Sequence, residues 1–247
     1  MIGPIFCFDL GNTRLKCGIM QGGELQEERF FSEETLLPEV EKLLKERRPR
    51  AAVLSSVIEH PPALESLLQS ETRFIRLRCD TPMPVRIVYE KPETLGVDRI
   101  ALAAGAWEMF PGQHNLVIGT GSAITYNFIN KRGEFLGGGI SPGIDMRFRA
   151  LHAFTDKLPL VPAEAHYSFI GYNTRQSILS GVLEGALAEV DGMISLYAAR
   201  YGNFNALLTG GNLEFFASRL KNKIFASPYL MYKGLNSIAE LNVLDKS

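Results

Sequence analysis

The chain has 247 residues with a formal net charge of -1 and 21% charged residues, a balance that excludes a broad basic surface for nucleic acid or anionic membrane. A hydrophobic share of 46% is ample for a large core, yet no apolar run approaches a membrane span, and the first run ends at Asp9, too early for a signal peptide. The cysteines Cys7, Cys17 and Cys79 are odd in number, and the first two lie in apolar strand patterns, so they read as reduced residues of a cytoplasmic protein.

In chain order, Ile5-Phe6-Cys7-Phe8 predicts a buried strand leading into Asp9-Leu10-Gly11-Asn12-Thr13-Arg14-Leu15-Lys16, a tight turn and the start of a returning strand. Gly11 is expected to take backbone angles closed to other residues, and Asn12 and Thr13 to present amide and hydroxyl groups to a phosphate. Lys16 adds a point charge, and Asp9 can hold a cation or water against the same phosphates. These eight residues taken alone read rather as an ordinary Gly-Asn hairpin with a solvated lysine. A third strand over residues 24–31 follows Gly22-Gly23, then a helix carrying Leu36, Leu37, Val40, Leu43 and Leu44 at helical spacing, with Lys45, Arg47 and Arg48 as its solvated cationic end.

Residues 51–57 predict a buried strand ending in serines, 62–69 a short helix and 74–77 a strand. The proline-rich stretch 80–93 is expected to escape regular pairing. Thr94-Leu95-Gly96-Val97-Asp98-Arg99 opens a buried helix, where an aspartate can complement the helix dipole and an arginine can pair with it.

The pattern then repeats. Asn115-Leu116-Val117-Ile118 is a strand, Gly119-Thr120-Gly121-Ser122 a turn, Ala123 to Ile129 a returning strand, and Phe135 to Ile140 a third. Gly137-Gly138-Gly139 permits close approach of a backbone or ligand, and the helix after Gly143 carries Met146, Phe148, Leu151, His152 and Phe154. After a loop at 159–169, Asn173-Thr174 caps a long helix to about Arg200 whose small residues, among them Gly181 and Gly185, suit close helix approach. A buried strand ends at Thr209-Gly210-Gly211, and two short helices follow.

A duplicated unit of three strands with a glycine-polar turn after the first strand resembles the actin, Hsp70 and sugar-kinase superfamily. Within it, Asp9 to Lys16, Gly96 to Arg99, Gly138 to Gly143 and Thr209 to Gly211 resemble, in joint order, the motifs of type III pantothenate kinase. The resemblance implies an α/β fold of two ribonuclease-H-like halves, 1–110 and 111–247, each with a mixed five-stranded sheet flanked by helices and with the nucleotide cleft between them. It implies ATP-dependent phosphorylation of pantothenate, in a cytoplasmic homodimer using Mg2+ or another divalent cation. Asp98 is then the catalytic base, and Asp9, Leu10, Gly11, Asn12, Thr13, Arg14, Leu15, Lys16 and Ser122 hold ATP. Tyr89, Gly96, Val97, Asp98, Arg99 and Thr174 face pantothenate, and Asp9 is the divalent-cation residue.

One departure stands out. The family's second turn reads Asp-x-Gly-Thr-x-x-Thr-x-Asp, and its first acid binds an activating K+ or NH4+; here Gly119 and Asn127 replace the two acids, while Ser122 keeps the hydroxyl. Either the enzyme works with weak or absent monovalent-cation dependence, or the chain is a degenerate member that binds ligand in a regulatory role. A sugar or acetate kinase on this scaffold is a third alternative, for which this chain is short because those enzymes usually carry inserted subdomains.

Overall fold

The computed structural model describes residues 3–244. β1 (Ile5–Leu10) pairs antiparallel with β2 (Leu15–Gln21), and β2 antiparallel with β3 (Glu24–Phe31); on its other side β1 pairs parallel with β4 (Ala51–Ser56), and β4 with β5 (Arg73–Arg76). The five-strand order is β3-β2-β1-β4-β5. Strand alternation gives this sheet two different faces. Phe6, Phe8 and Leu10 join Leu15, Cys17 and Ile19 in a core closed by α1 (Leu36–Arg47) and α2 (Pro62–Glu71). The alternate residues Ile5, Cys7 and Asp9 lie on the other face.

α3 (Val97–Met109) and α7 (Leu230–Leu244) pack on this sheet and on each other. The last helix is longer than the short one expected. Gly234 is where α7 meets α3: a Cβ there would lie 1.8 Å from the Ala101 carbonyl oxygen.

The second sheet has six strands rather than five: β11 (Phe225–Ala226), β10 (Asn205–Thr209), β7 (Asn115–Thr120), β8 (Ala123–Ile129), β9 (Glu134–Pro142) and β6 (Arg86–Ile87), in that order. β6 comes from the proline-rich stretch expected to stay unpaired. Its prolines bracket residues that keep their N–H groups, and Arg86 and Val88 donate to Gly133 O and Phe135 O at 2.8 and 2.9 Å. β9 leads into α4 (Ile144–Ala153), and α5 (Thr174–Tyr201) starts as expected, with the Asn173 side chain accepting from Gln176 N at 2.9 Å. α6 (Leu213–Ala217) is a short turn of helix.

The chain divides into two compact units. One comprises the chain up to Asn115, Asn127–Gly137 and the chain from Tyr229 onward; the other comprises Leu116–Tyr126 and Gly138–Pro228. The units follow packing, and packing assigns α7 to the first unit through its contacts with α3, β1 and β4.

Candidate functional site

In the first unit, register places the first group of polar residues. Asp9 lies opposite Lys16 on β2 and beside Ser55 on β4, so all three side chains rise from one face of the sheet. The Lys16 ammonium is 3.2 Å from Asp9 Oδ2 and 5.2 Å from the centroid of the Tyr232 ring. Tyr232, on α7, is buried against Gly18, where a Cβ would meet the ring at 2.6 Å, and its hydroxyl donates to Glu28 Oε1 at 2.6 Å. Burial raises the Asp9 carboxyl pKa above the ordinary aspartate value; Lys16 opposes the rise, and the charges of Asp98 and Glu28 add to it.

The turn between β1 and β2 closes with Gly11 N donating to Arg14 O at 3.1 Å. Gly11 does not take the left-handed backbone expected of it. A Cβ there would meet only Arg14 O, at the ordinary contact distance of 3.7 Å, so packing within the chain does not demand a glycine. Asn12, Thr13 and Arg14 are exposed, while Leu10 and Leu15 are core residues that can reach a ligand only through their backbone. The turn lines a cleft of about 780 Å3 with Phe30, Phe31, Ser32, Glu33, Ile58 and Glu59. Asp9, Lys16 and Asp98 do not line that cleft, so the turn is bordered by two environments, one open and one desolvated.

Asp98 is the second residue of α3, and Gly96 leaves room for its carboxylate: a Cβ on Gly96 would lie 2.5 Å from Asp98 Oδ1. Burial raises the Asp98 pKa, while the backbone amide and the charge of Arg99 hold it down. Arg99 is buried, with Nε donating to Asn127 Oδ1 at 2.6 Å and the guanidinium 5.8 Å from the Phe135 ring centroid. Tyr89 packs its ring over Gly137, whose φ of 95° and lack of a Cβ both serve that contact. Gly96, Val97, Asp98 and Arg99 thus come together at one helix start, with Asp9 within electrostatic reach of Asp98.

In the second unit, Ser122 sits exposed in the turn after β7, with Gly121 N donating to Ala123 O at 3.1 Å. Gly143 N donates to Ser122 O at 3.1 Å, and a Cβ on Gly143 would lie 2.4 Å from both Gly121 O and Ser122 O. The Thr209-Gly210-Gly211 segment supports the end of β7: Thr120 Oγ1 donates to Thr209 O at 2.8 Å, and Gly210, at φ 107°, lies against the Thr120 backbone. Thr174 is the exposed first residue of α5. Sequence reasoning missed Tyr232 and Glu28, because their places at the site are set by long-range packing and register rather than by a motif.

The residues fit a divalent cation. Ser55 Oγ is fully buried with no hydrogen-bond partner among the described residues, and it shares its face of the sheet with the Asp9 carboxylate. Among the described residues no three His, Cys, Asp or Glu side chains converge. The residues do not fit the expected monovalent cation. Gly119 offers no side-chain oxygen, and the amide oxygen of Asn127 is taken by Arg99.

Solved structures share the fold over nearly the whole chain. A Baf family protein from Campylobacter jejuni superposes with a TM-score of 0.64 at 21% identity, covering 97% of this chain and 99% of its own. The activator of 2-hydroxyisocaproyl-CoA dehydratase from Clostridium difficile, with bound ADPNP, gives 0.53 at 14% identity, covering 98% and 97%. With its two mixed sheets flanked by helices, the protein is of the actin-like, ribonuclease-H-like class. A family model for type III pantothenate kinase matches residues 5–196, and type III pantothenate kinases from Cytophaga hutchinsonii and Flavobacterium johnsoniae are 43% and 39% identical. Those alignments cover 95% and 97% of this chain and 98% of each relative. The chain belongs to the type III pantothenate kinase family.

Proposed function

We propose that this protein transfers the γ-phosphoryl group of ATP to the primary alcohol of pantothenate, giving 4'-phosphopantothenate and ADP, the first step of coenzyme A biosynthesis. The observation that carries this reading is Asp98, a carboxylate with a raised pKa at a helix start, within the electrostatic field of Asp9, in a chain of this family. Such a group accepts the alcohol proton as the oxygen attacks the γ-phosphorus and the bond to the ADP oxygen breaks. Asp9 to Lys16 and Ser122 hold the nucleotide by backbone amides, hydroxyls and the Lys16 charge. Gly96, Val97, Tyr89 and Thr174 form the pantothenate contacts, and Arg99 neutralises developing charge near Asp98. Asp9, with Ser55 through water, would hold Mg2+, which when bound neutralises phosphate charge.

Turnover has weak or absent monovalent-cation dependence, because the Gly119 and Asn127 positions supply no carboxylate and leave only backbone carbonyls or water for such an ion. An assay of ADP release should give a pantothenate-dependent rate that changes less than about twofold between potassium-free and potassium buffers, and Gly119→Asp should introduce a potassium response. No turnover in any buffer would instead favour the ligand-binding reading.

The protein acts as a cytoplasmic homodimer. Its free, buried Cys7 and Cys17 suit a reducing compartment. On α5, a Cβ at Gly181, Gly185 or Gly192 would meet nothing within 4 Å, and Ile140, Met146, Phe169 and Tyr172 are exposed in the same unit. Light scattering should return twice the 27.4 kDa chain mass, and Gly185→Trp should halve it.

A further inference from the structure

The second unit contains a polar network that the proposed reaction does not use. At its centre is Glu189 on α5. Glu189 Oε1 accepts from the Tyr126 hydroxyl at 2.9 Å and from Ser141 Oγ at 2.6 Å, while Oε2 accepts from the Arg147 guanidinium. Arg147 also donates from Nε to Pro142 O at 2.9 Å and from its other nitrogen to Ser141 Oγ at 2.9 Å. The side chains of Arg147 and Glu189 are about a quarter exposed, at 21% and 28%, so the charge pair is screened and the geometry matters more than the charge.

Glu189 on α5 and its three partners on β8, β9 and α4 span four elements, and two of the connections lead to the Ser122 turn. Tyr126 lies on β8, the strand that leaves the turn. Ser141 and Arg147 flank Pro142 and Gly143, and Gly143 N donates to Ser122 O. The Cα of Gly143 approaches so closely that no side chain fits between it and the carbonyls of Gly121 and Ser122. A shift of the β9–α4 junction is therefore passed to the turn by direct contact. Burial works against the Glu189 charge, yet the hydrogen bonds from Ser141, Arg147 and Tyr126 outweigh it and hold its pKa below the ordinary glutamate range.

We infer that Glu189 is a positioning residue: it clamps the strand after the Ser122 turn and the glycine junction beneath it, so that the turn is preformed for a nucleotide phosphate. This inference rests on the reading of Ser122 as a nucleotide contact. Loss of one well-placed phosphate contact weakens binding by about tenfold.

The test is calorimetric titration of ADP into the full chain and its variants, with steady-state kinetics alongside. Glu189→Ala is expected to raise the ADP Kd and the KM for ATP by about tenfold, and Tyr126→Phe, which keeps the ring in place, by about threefold, with the KM for pantothenate held within about twofold. Glu189→Gln, which still accepts from Tyr126 and Ser141, should recover part of the affinity. Ser122→Ala should match Glu189→Ala. Weakened binding in Ser122→Ala with wild-type binding in Glu189→Ala and Tyr126→Phe overturns the clamp and leaves the turn's role standing. Unchanged binding in Ser122→Ala overturns the reading of the turn and the clamp with it. A parallel rise in both KM values, tracking lost melting temperature, marks a merely structural role and also overturns it.

Discussion

Asp98→Asn is expected to lower kcat by about 10²- to 10⁴-fold while ADP binding survives, because asparagine keeps the shape of the side chain but cannot accept the alcohol proton. The same substitution is expected to raise the melting temperature of the ligand-free protein. The Asp98 pKa in the folded state lies above that of an unfolded aspartate, chiefly through burial. A group shifted that way contributes stability that is fully present only at acid pH and is lost as pH rises through the folded value. At neutral pH the desolvated charge therefore costs stability, and asparagine removes it. Asp9 sharpens the effect, since its carboxylate feels the charge of Asp98. A coupled assay, an ADP titration and a thermal scan on one preparation separate the possibilities. An unchanged kcat would remove Asp98 from the chemistry, and loss of ADP binding would make it a nucleotide contact instead.

Much of this site was legible in the sequence, and the reason is local. A strand, turn and returning strand announce themselves by apolar alternation around a glycine and two polar residues, and register then fixes Asp9 opposite Lys16. Asn173 before a helical run predicts its own cap, and the structure shows it. Gly96 to Arg99 fall at the start of α3 because Gly96 is its cap and the apolar helical pattern begins beyond it.

What stayed illegible depends on partners distant in sequence. Nothing near Lys16 announces that Tyr232 will lie over its ammonium, since that contact exists only once α7 docks on the first sheet. Asn127 stands out in sequence as a missing acid, but its amide serves the Arg99 guanidinium, a bond between residues 28 apart. The expectation for Gly11 was not met: its backbone is not left-handed, and a Cβ there would make only an ordinary contact with Arg14 O. Similarly, the prolines at 82, 84 and 92 mark the ends of a short pairing at β6 rather than preventing it. Composition identifies where pairing must stop, whereas which strand edge is available is a tertiary property.

Gly234→Ala is expected to be the most destabilising single-methyl change in the first unit. The added carbon would stand 1.8 Å from Ala101 O and 2.8 Å from Gly105 N, both backbone atoms of α3, so no rotamer change can relieve it. The contact is reciprocal, with a Cβ on Gly105 falling 2.4 Å from Leu230 O. The two helices must separate, and overpacking of this kind costs about 3 kcal/mol. For a chain of this size that corresponds to a fall in melting temperature of roughly 10 °C. Ser237→Ala, on the exposed side of α7 where the hydroxyl meets Glu108, should stay within about 0.5 kcal/mol of wild type and serves as the control. Because α3 begins at the residues that carry Asp98, a helix displaced by α7 also moves the base, and a carboxylate misplaced by about 1 Å can lose 10²-fold in rate. Kinetics below the melting transition should therefore show kcat falling in Gly234→Ala while the Ser237→Ala enzyme turns over normally. Full activity with a lowered melting temperature would mean that α3 holds its start against the sheet independently of α7.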